Sequence, residues 1–381
     1  MIQPLVRQLC WQVTIPPLVS VSNRKQLAKW LWIPVGILQA NSIALSQIAT
    51  YWPGAARAES RVSTIRRWLM NFRVDVWSFY RPLLEHALQG WHAVPAMGIL
   101  DGVTVFHDRW QLFRWSLAQG RRAIPLAGRG LPTEGLTHAE KLAPLLQRAA
   151  AFLNPRVRQL TLLADRGFRD CEWAERGEQL NWNYGIRLAN RTCRGLADGQ
   201  WLRLDHRDVS PTPCRVFQKV LVARSVQWPA NLTVTRRGCH AQAESEIVAV
   251  LSNRPAGRSR LREDAQRMDS DETLRVRDDK SGGFDMEHTR WPHPERWERL
   301  LLALALATLW CHELGEHVWQ GGEAARRELD PGATRELSLF QLGLRRLKRG
   351  LANALALLPQ FVARLSPVKL KPVMHRAIVK V

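Results

Sequence analysis

The sequence predicts an α/β protein, and three observations carry that prediction. Strand-like runs rich in Val, Ile, Leu and Phe follow one another between residues 93 and 188. One segment of helical period interrupts them, and helical period returns in the stretches on either side. The composition, 46% hydrophobic and 23% charged over 381 residues, is that of a globular chain long enough for two or three domains. It excludes a disordered tail, a collagen-like fibre and a disulfide-stapled miniprotein.

The elements follow in order. Residues 5–90 read as helical, broken at Pro34 and at Pro53-Gly54. Ser60 to Asn71 reads as a helix capped by Ser60, with Arg66 and Arg67 on an exposed face. This region fits either a helix-turn-helix reader of DNA or a packed helical bundle. A strand then ends near Asp101, and Q-L-F-R-W-S-L-A and R-A-I-P-L-A complete a meander. A helix from Thr137 to Phe152 follows, with Thr137 as cap and Glu140 three residues on. V-R-Q-L-T-L-L-A-D is a buried strand ending at Asp165, and Y-G-I-R-L at 184–188 is the next. Three strands, a helix and a strand are the opening order of a ribonuclease H-like core. Residues 192–256 read as a β-rich insertion, 257–320 as helices completing the core, and 321–381 as a basic C-terminal region. The helical N-terminal region takes 1–92 and the first part of the core 93–191.

Charge narrows the class of partner. The formal net charge is +21. Residues 1–58 hold five basic residues and no acid, and residues 337–381 hold nine and no acid. Two thirds of the net charge therefore sits at the two ends. A polyanion, above all nucleic acid, suits this pattern, because cations that neutralise phosphate release counterions. An anionic membrane surface is the rival. The plainest reading is solubility, with codon bias behind an Arg excess over Lys of 46 to 9. The longest apolar run, Leu300 to Trp310, has 11 residues. That is short of the ~18–20 needed to span a bilayer. The opening M-I-Q-P-L-V-R has no signal-peptide core, and six scattered cysteines without a C-x-x-C pair read as buried thiols. A cytoplasmic, nucleoid-associated protein is expected.

The carboxylates carry the chemistry. Asp101 and Asp165 each end a run of core-strand residues, so each is held rigidly at a sheet edge. Side by side they would repel unless a cation lay between them. Mg²⁺, or Mn²⁺, takes oxygen ligands, with water and phosphate completing its shell. Two ions can activate a nucleophile and stabilise a leaving oxygen in one displacement. The plain alternative for each Asp is a turn-starting role, as D-G and D-R-G often have. A third acid is expected from a helix starting near Arg258, where Arg267, Asp271 and Arg275 share a face. Glu272 lies ~100° round from Asp271. A solvated charged helix is the alternative there.

Four segments carry a family resemblance. They are L-D-G-V-T-V-F-H-D-R-W-Q-L-F-R at 100–114, L-L-A-D-R-G-F-R-D at 162–170, W-N-Y-G-I-R at 182–187 and D-D-K-S-G-G-F-D-M-E-H-T-R at 278–290. In this order they resemble the DDE transposases of bacterial insertion sequences, in the insertion-sequence-four-like branch with a Tyr-Arg-Glu-Lys signature. The resemblance runs from about Val94 to Glu316. It implies a ribonuclease H-like fold, an enzyme that cuts transposon ends and joins them to target DNA, and two divalent ions. Asp101 and Asp165 would be its first two catalytic, metal-holding carboxylates, and Asp271 the third, with Glu272 as substitute. Arg267 and Lys280 would contact the DNA backbone. Arg66 and Arg67, with Arg345, Arg346 and Lys348, would bind double-stranded DNA at the ends, the protein forming a homodimer there.

The signature is altered. Its Tyr position is Asp264, its Glu position is Asp271, and eight residues instead of six separate Asp271 from Lys280. Two extra residues turn a helix by ~200°. Asp is also a methylene shorter than Glu, and a ~1 Å misplacement can cost ~100-fold in rate. A catalytically impaired copy that binds DNA, or represses transposition, is therefore the second expectation. H-E-L-G-E-H at 312–317 is not a zinc motif, because its histidines are five apart instead of four. Trp110 and Trp115 read as core residues, with base stacking as the alternative.

Overall fold

The structure, a computed structural model, describes residues 24–105, 109–119, 122–132, 138–168, 171–204, 214–237, 246–272, 293–332 and 337–353. Among the described residues four helices come first: α1 (Arg24–Ala40), α2 (Leu45–Thr50), α3 (Ala58–Leu69) and α4 (Trp77–Ala87). Their apolar faces (Trp30, Ile65, Trp68, Leu84) join the same hydrophobic core as the sheet that follows. The Tyr80 hydroxyl of α4 donates to the Pro125 carbonyl at 2.8 Å, and burial pushes its pKa up. α3 begins two residues before the expected Ser60. Arg57 is its uncapped N-cap, and Glu59 supplies the acid that favours a first helical turn.

β1 (Pro95–Val105), β2 (Trp110–Gln119) and β3 (Arg122–Pro132) form the meander. β1 does not end at Asp101. It loses its β4 partner after Leu100 but continues five residues further, to Val105, against β2. α5 (Ala139–Leu153) leads to β4 (Gln159–Ala164), and α6 (Cys171–Gln179) to β5 (Asn183–Arg187). The Thr137 cap lies outside the described residues. The start of α5 is held instead from α6, where Glu172 Oε2 accepts the Ala139 backbone N–H at 3.2 Å. β4 pairs parallel to both β1 and β5.

β6 (Cys193–Gly195), β7 (Trp201–Arg203), β8 (Arg215–Val222), β9 (Trp228–Arg237) and β10 (Glu246–Ser252) extend this sheet. The order is β3-β2-β1-β4-β5-β10-β9-β8-β6-β7, with β10 antiparallel to β5. The β-rich segment is thus a continuation of the core sheet. One face carries the main core. The other carries a small cluster of Ile99, Ala118, Ala123 and Leu163.

α7 (Arg258–Glu272) packs against β4, β5 and β10. α8 (Pro294–Gln320) contains the 300–310 apolar run and lies against β3, α1 and a C-terminal helix. After the short α9 (Gly322–Arg327), that helix is α10 (Leu339–Ala352), capped by Ser338, whose hydroxyl accepts from Gln341 N–H at 3.0 Å. α8 and α10 meet at two glycines. A Cβ on Gly315 would overlap the Leu339 backbone, and one on Gly343 the Cys311 carbonyl. No described helix is long and apolar enough to cross a membrane. The four described cysteines are unbridged; Cys171 and Cys311 are buried, but Cys193 and Cys214 are only half-buried.

Because backbone occupies the space, Gly343→Leu is expected to lower stability by about 2–3 kcal/mol. A urea midpoint equal to wild type would show that α8 and α10 do not cross at these glycines.

Candidate active site at the ends of β1 and β4

The last paired level of the three central strands is Leu100, Ala164 and Ile186. One residue further stand Asp101, Asp165 and Arg187. In-register neighbours in a parallel sheet share a face, so these three positions form a row. On the other side of Asp101, its partner across the antiparallel pair is Arg114 of β2. The row therefore reads Arg114, Asp101, Asp165, Arg187 over four adjacent strands. Asp101, Arg114 and Arg187 are all buried, at 6–7% exposure.

Asp165 stands just past β4 and is half-buried. Its Oδ1 accepts the Gly167 N–H at 2.8 Å, and its carbonyl accepts the Phe168 N–H at 3.0 Å. It therefore starts the Arg166–Phe168 turn, the plain role that D-R-G allows. Among the described residues its Oδ2 has no hydrogen-bond partner.

α7 covers the row. Its start is fixed: the Gly257 N–H donates to Thr233 Oγ1 of β9 at 3.0 Å, and Glu263 pairs with Arg254 and, at 3.1 Å, with Arg260. Arg187 Nη1 donates to Met268 Sδ at 3.5 Å, which places the middle of α7 directly on β5. Beside Met268, Arg267 Nε and Asp264 Oδ1 form an ion pair at 3.3 Å, both side chains 4% exposed. Asp264 Oδ2 is buried with no hydrogen-bond partner among the described residues. The helix remains continuous to Glu272, so position 271 falls on the 264, 267, 268 stripe. The side chains of Asp271 and Glu272 lie outside the described residues, as do Lys280, Arg275 and the whole 278–290 segment. Among the described residues no three acid, His or Cys side chains form a metal-ligand cluster.

The structure thus brings together Asp101, Asp165 and the Arg267 stretch of α7. It adds Arg114 and Arg187, which sit inside the quoted segments but whose place beside the acids depends on strand register. The other expected DNA contacts divide. Arg66 and Arg67 are exposed on the last turn of α3. Arg345, Arg346 and Lys348 are engaged within the protein: Arg345 donates to the Leu329 carbonyl at 2.9 Å, Arg346 lies 3.8 Å from Glu328, and Lys348 donates to Asn41 Oδ1 at 3.3 Å. Trp115 is fully buried and stacks on Trp182 with centroids 5.1 Å apart, so it is not available to a base. His312 is buried and His317 exposed, on different sides of α8.

Fold and site define a mixed α/β protein with a long sheet and an acid–arginine row under a helix. No family model and no curated protein matches the chain. Among solved structures it is similar to a piggyBac transposase in a synaptic complex with hairpin DNA, at 11% identity and a TM-score of 0.42, over 97% of this chain and 83% of that one.

Removing one partner of the α7 pair strands a buried charge. Arg267→Met is expected to cost about 3–5 kcal/mol, and adding Asp264→Leu to restore most of it. Thermal unfolding of the two variants tests this; equal losses would mean that the pair is not buried as a unit.

Proposed function

We propose that this protein is a DNA transposase that cuts transposon ends and joins them to target DNA. One observation carries the proposal: parallel pairing of β1 and β4 sets Asp101 and Asp165 at one level of a sheet, under a helix that holds position 271 on the same side. The strand order β3-β2-β1-β4-β5 is that of a ribonuclease H-like core, which we take this to be. Three of the four sequence segments that resemble insertion-sequence transposases, at 100–114, 162–170 and 182–187, include these same strand ends.

The donor set fits a hard divalent cation. Asp101 is a buried carboxylate, and Asp165 keeps one oxygen out of its turn. Asp101 and Asp165 would hold Mg²⁺ or Mn²⁺, with Asp271, or Glu272, contributing from α7. Bound there, the ions supply charge stabilisation for in-line displacement at phosphorus. Arg114 and Arg187, one strand position from Asp101 and Asp165, would add positive charge beside the two carboxylates. Arg267, fixed by Asp264, would orient DNA phosphate on the α7 side, and exposed Arg66 and Arg67 would grip the backbone further out.

A second reading is favoured by the Asp264–Arg267 pair. Arg267 is spent on a buried neighbour instead of standing free to meet DNA. A chain of this kind would bind transposon ends without cutting them and repress active copies.

Asp165→Ala is expected to abolish metal-dependent cleavage of a duplex carrying the inverted repeats that flank the coding region, while binding that duplex within about twofold of wild type. Cleavage that persists in this variant would exclude the site. Wild-type binding with no nicking in Mn²⁺ would select the second reading.

A further inference from the structure

Phe72 is a large apolar side chain left 62% exposed. Single exposed apolar residues are common and mean little. This one differs in how it is held. It stands at the apex of a tight turn between α3 and α4. The Asn71 N–H donates to the Trp68 carbonyl at 3.0 Å, Phe72 N–H to Met70 at 3.1 Å, and Val74 N–H to Asn71 at 3.1 Å. Asn71 Oδ1 accepts the Arg73 N–H at 3.2 Å. Val74 and Val76, just beyond, are buried and anchor the turn.

Cations lie close to the turn, in space for Arg299 and in sequence for three others. Arg299 of α8 stands over the Phe72 ring, 5.5 Å from its centroid, and covers part of it. Arg66, Arg67 and Arg73 are exposed within six residues. Asp75 and Glu298 line the adjoining groove, where Arg148 and Arg299 offset them. The three exterior arginines are left as net positive charge around an aromatic platform. A rigid ring bordered by cations matches a nucleotide with its base unstacked: the base has a π-face and its flanking phosphates are anions.

We propose that Phe72 is a stacking platform for an unpaired DNA base, with Arg66, Arg67 and Arg73 on the flanking phosphates. This rests on the DNA-binding part of the proposed function and adds the form of DNA that the turn recognises. The test uses the full chain and two labelled duplexes of about 30 base pairs, one fully paired and one with three unpaired adenines in one strand. Phe72→Ala is expected to weaken binding to the second by roughly 5- to 150-fold, the range that about 1–3 kcal/mol per stacked base gives. It should leave binding to the first within about twofold, and Phe72→Trp should keep both. Arg66→Gln with Arg67→Gln should weaken both duplexes and reduce the salt slope by about 2.

Because the side chain is exposed, an unchanged melting temperature is expected for Phe72→Ala. Should it fall, the Trp variant, which keeps a ring, carries the comparison: its loss of preference for the unpaired duplex would overturn the proposal. Equal or no loss on the two duplexes in Phe72→Ala would overturn it while leaving DNA binding standing. Wild-type protein that binds neither duplex at low salt would overturn both. Loss of self-association in Phe72→Ala, with the DNA preference unchanged, would assign the turn to a second copy of this chain and overturn it too.

Discussion

The register between β1 and β4 decides what the rest of the structure can be. With Gly98 opposite Leu162 and Leu100 opposite Ala164, the next positions on the two strands are Asp101 and Asp165. A slip of one residue in β1 would turn Asp101 into the main core and bring Leu100 out beside Asp165. The cost of burying an unpaired carboxylate among Leu, Trp and Phe side chains holds the register against that slip. Two further pairings finish the row. β2 supplies Arg114 across the antiparallel pair, and β5 supplies Arg187 across the parallel one. Each acid thus has a guanidinium in the neighbouring strand position.

The added strands serve that row. Without β10, β5 would be an open edge offering unpaired N–H and C=O groups. β10 closes that edge, and the chain leaving it is tied to β9 twice, through Gly257 to Thr233 and through Asn231 to the Arg254 carbonyl at 3.0 Å. α7 therefore departs from a fixed point in a fixed direction. Its middle turns land on Arg187 through Met268, and its Asp264–Arg267 pair is buried between helix and sheet. The sheet extension and the helix over the acids are one mechanical unit.

Much of this is legible in the sequence, because it depends on local patterning. The meander, β4 ending at Ala164 just before Asp165, and β5 follow from apolar period and breakers, and the helix α7 from the four-residue spacing of Arg267, Asp271 and Arg275. What is not legible depends on partners. β1 runs past Asp101 because β2 continues to pair with it after β4 has ended, which nothing in β1 itself announces. The start of α5 is held by Glu172, a residue 33 positions away. Arg345 and Arg346 read as free basic charge, but α10 turns them onto the Leu329 carbonyl and Glu328. The crossing of α8 and α10 needs Gly315 and Gly343 together, and neither glycine alone signals a helix contact.

The arginines bear on which ligands the row can accept. Arg114 and Arg187 are cationic side chains, so they oppose the entry of another cation. A divalent ion arriving alone would enter a row in which two positive groups stand one strand position from the two carboxylates. An ion arriving with a phosphate brings its own negative charge, and the same arginines then attract instead of repel it. The burial of Arg114 and Arg187 sharpens the distinction, since charges screened from water act on one another over longer distances. If Asp101 and Asp165 hold ions, this row therefore favours them in company with nucleic-acid phosphate over ions by themselves.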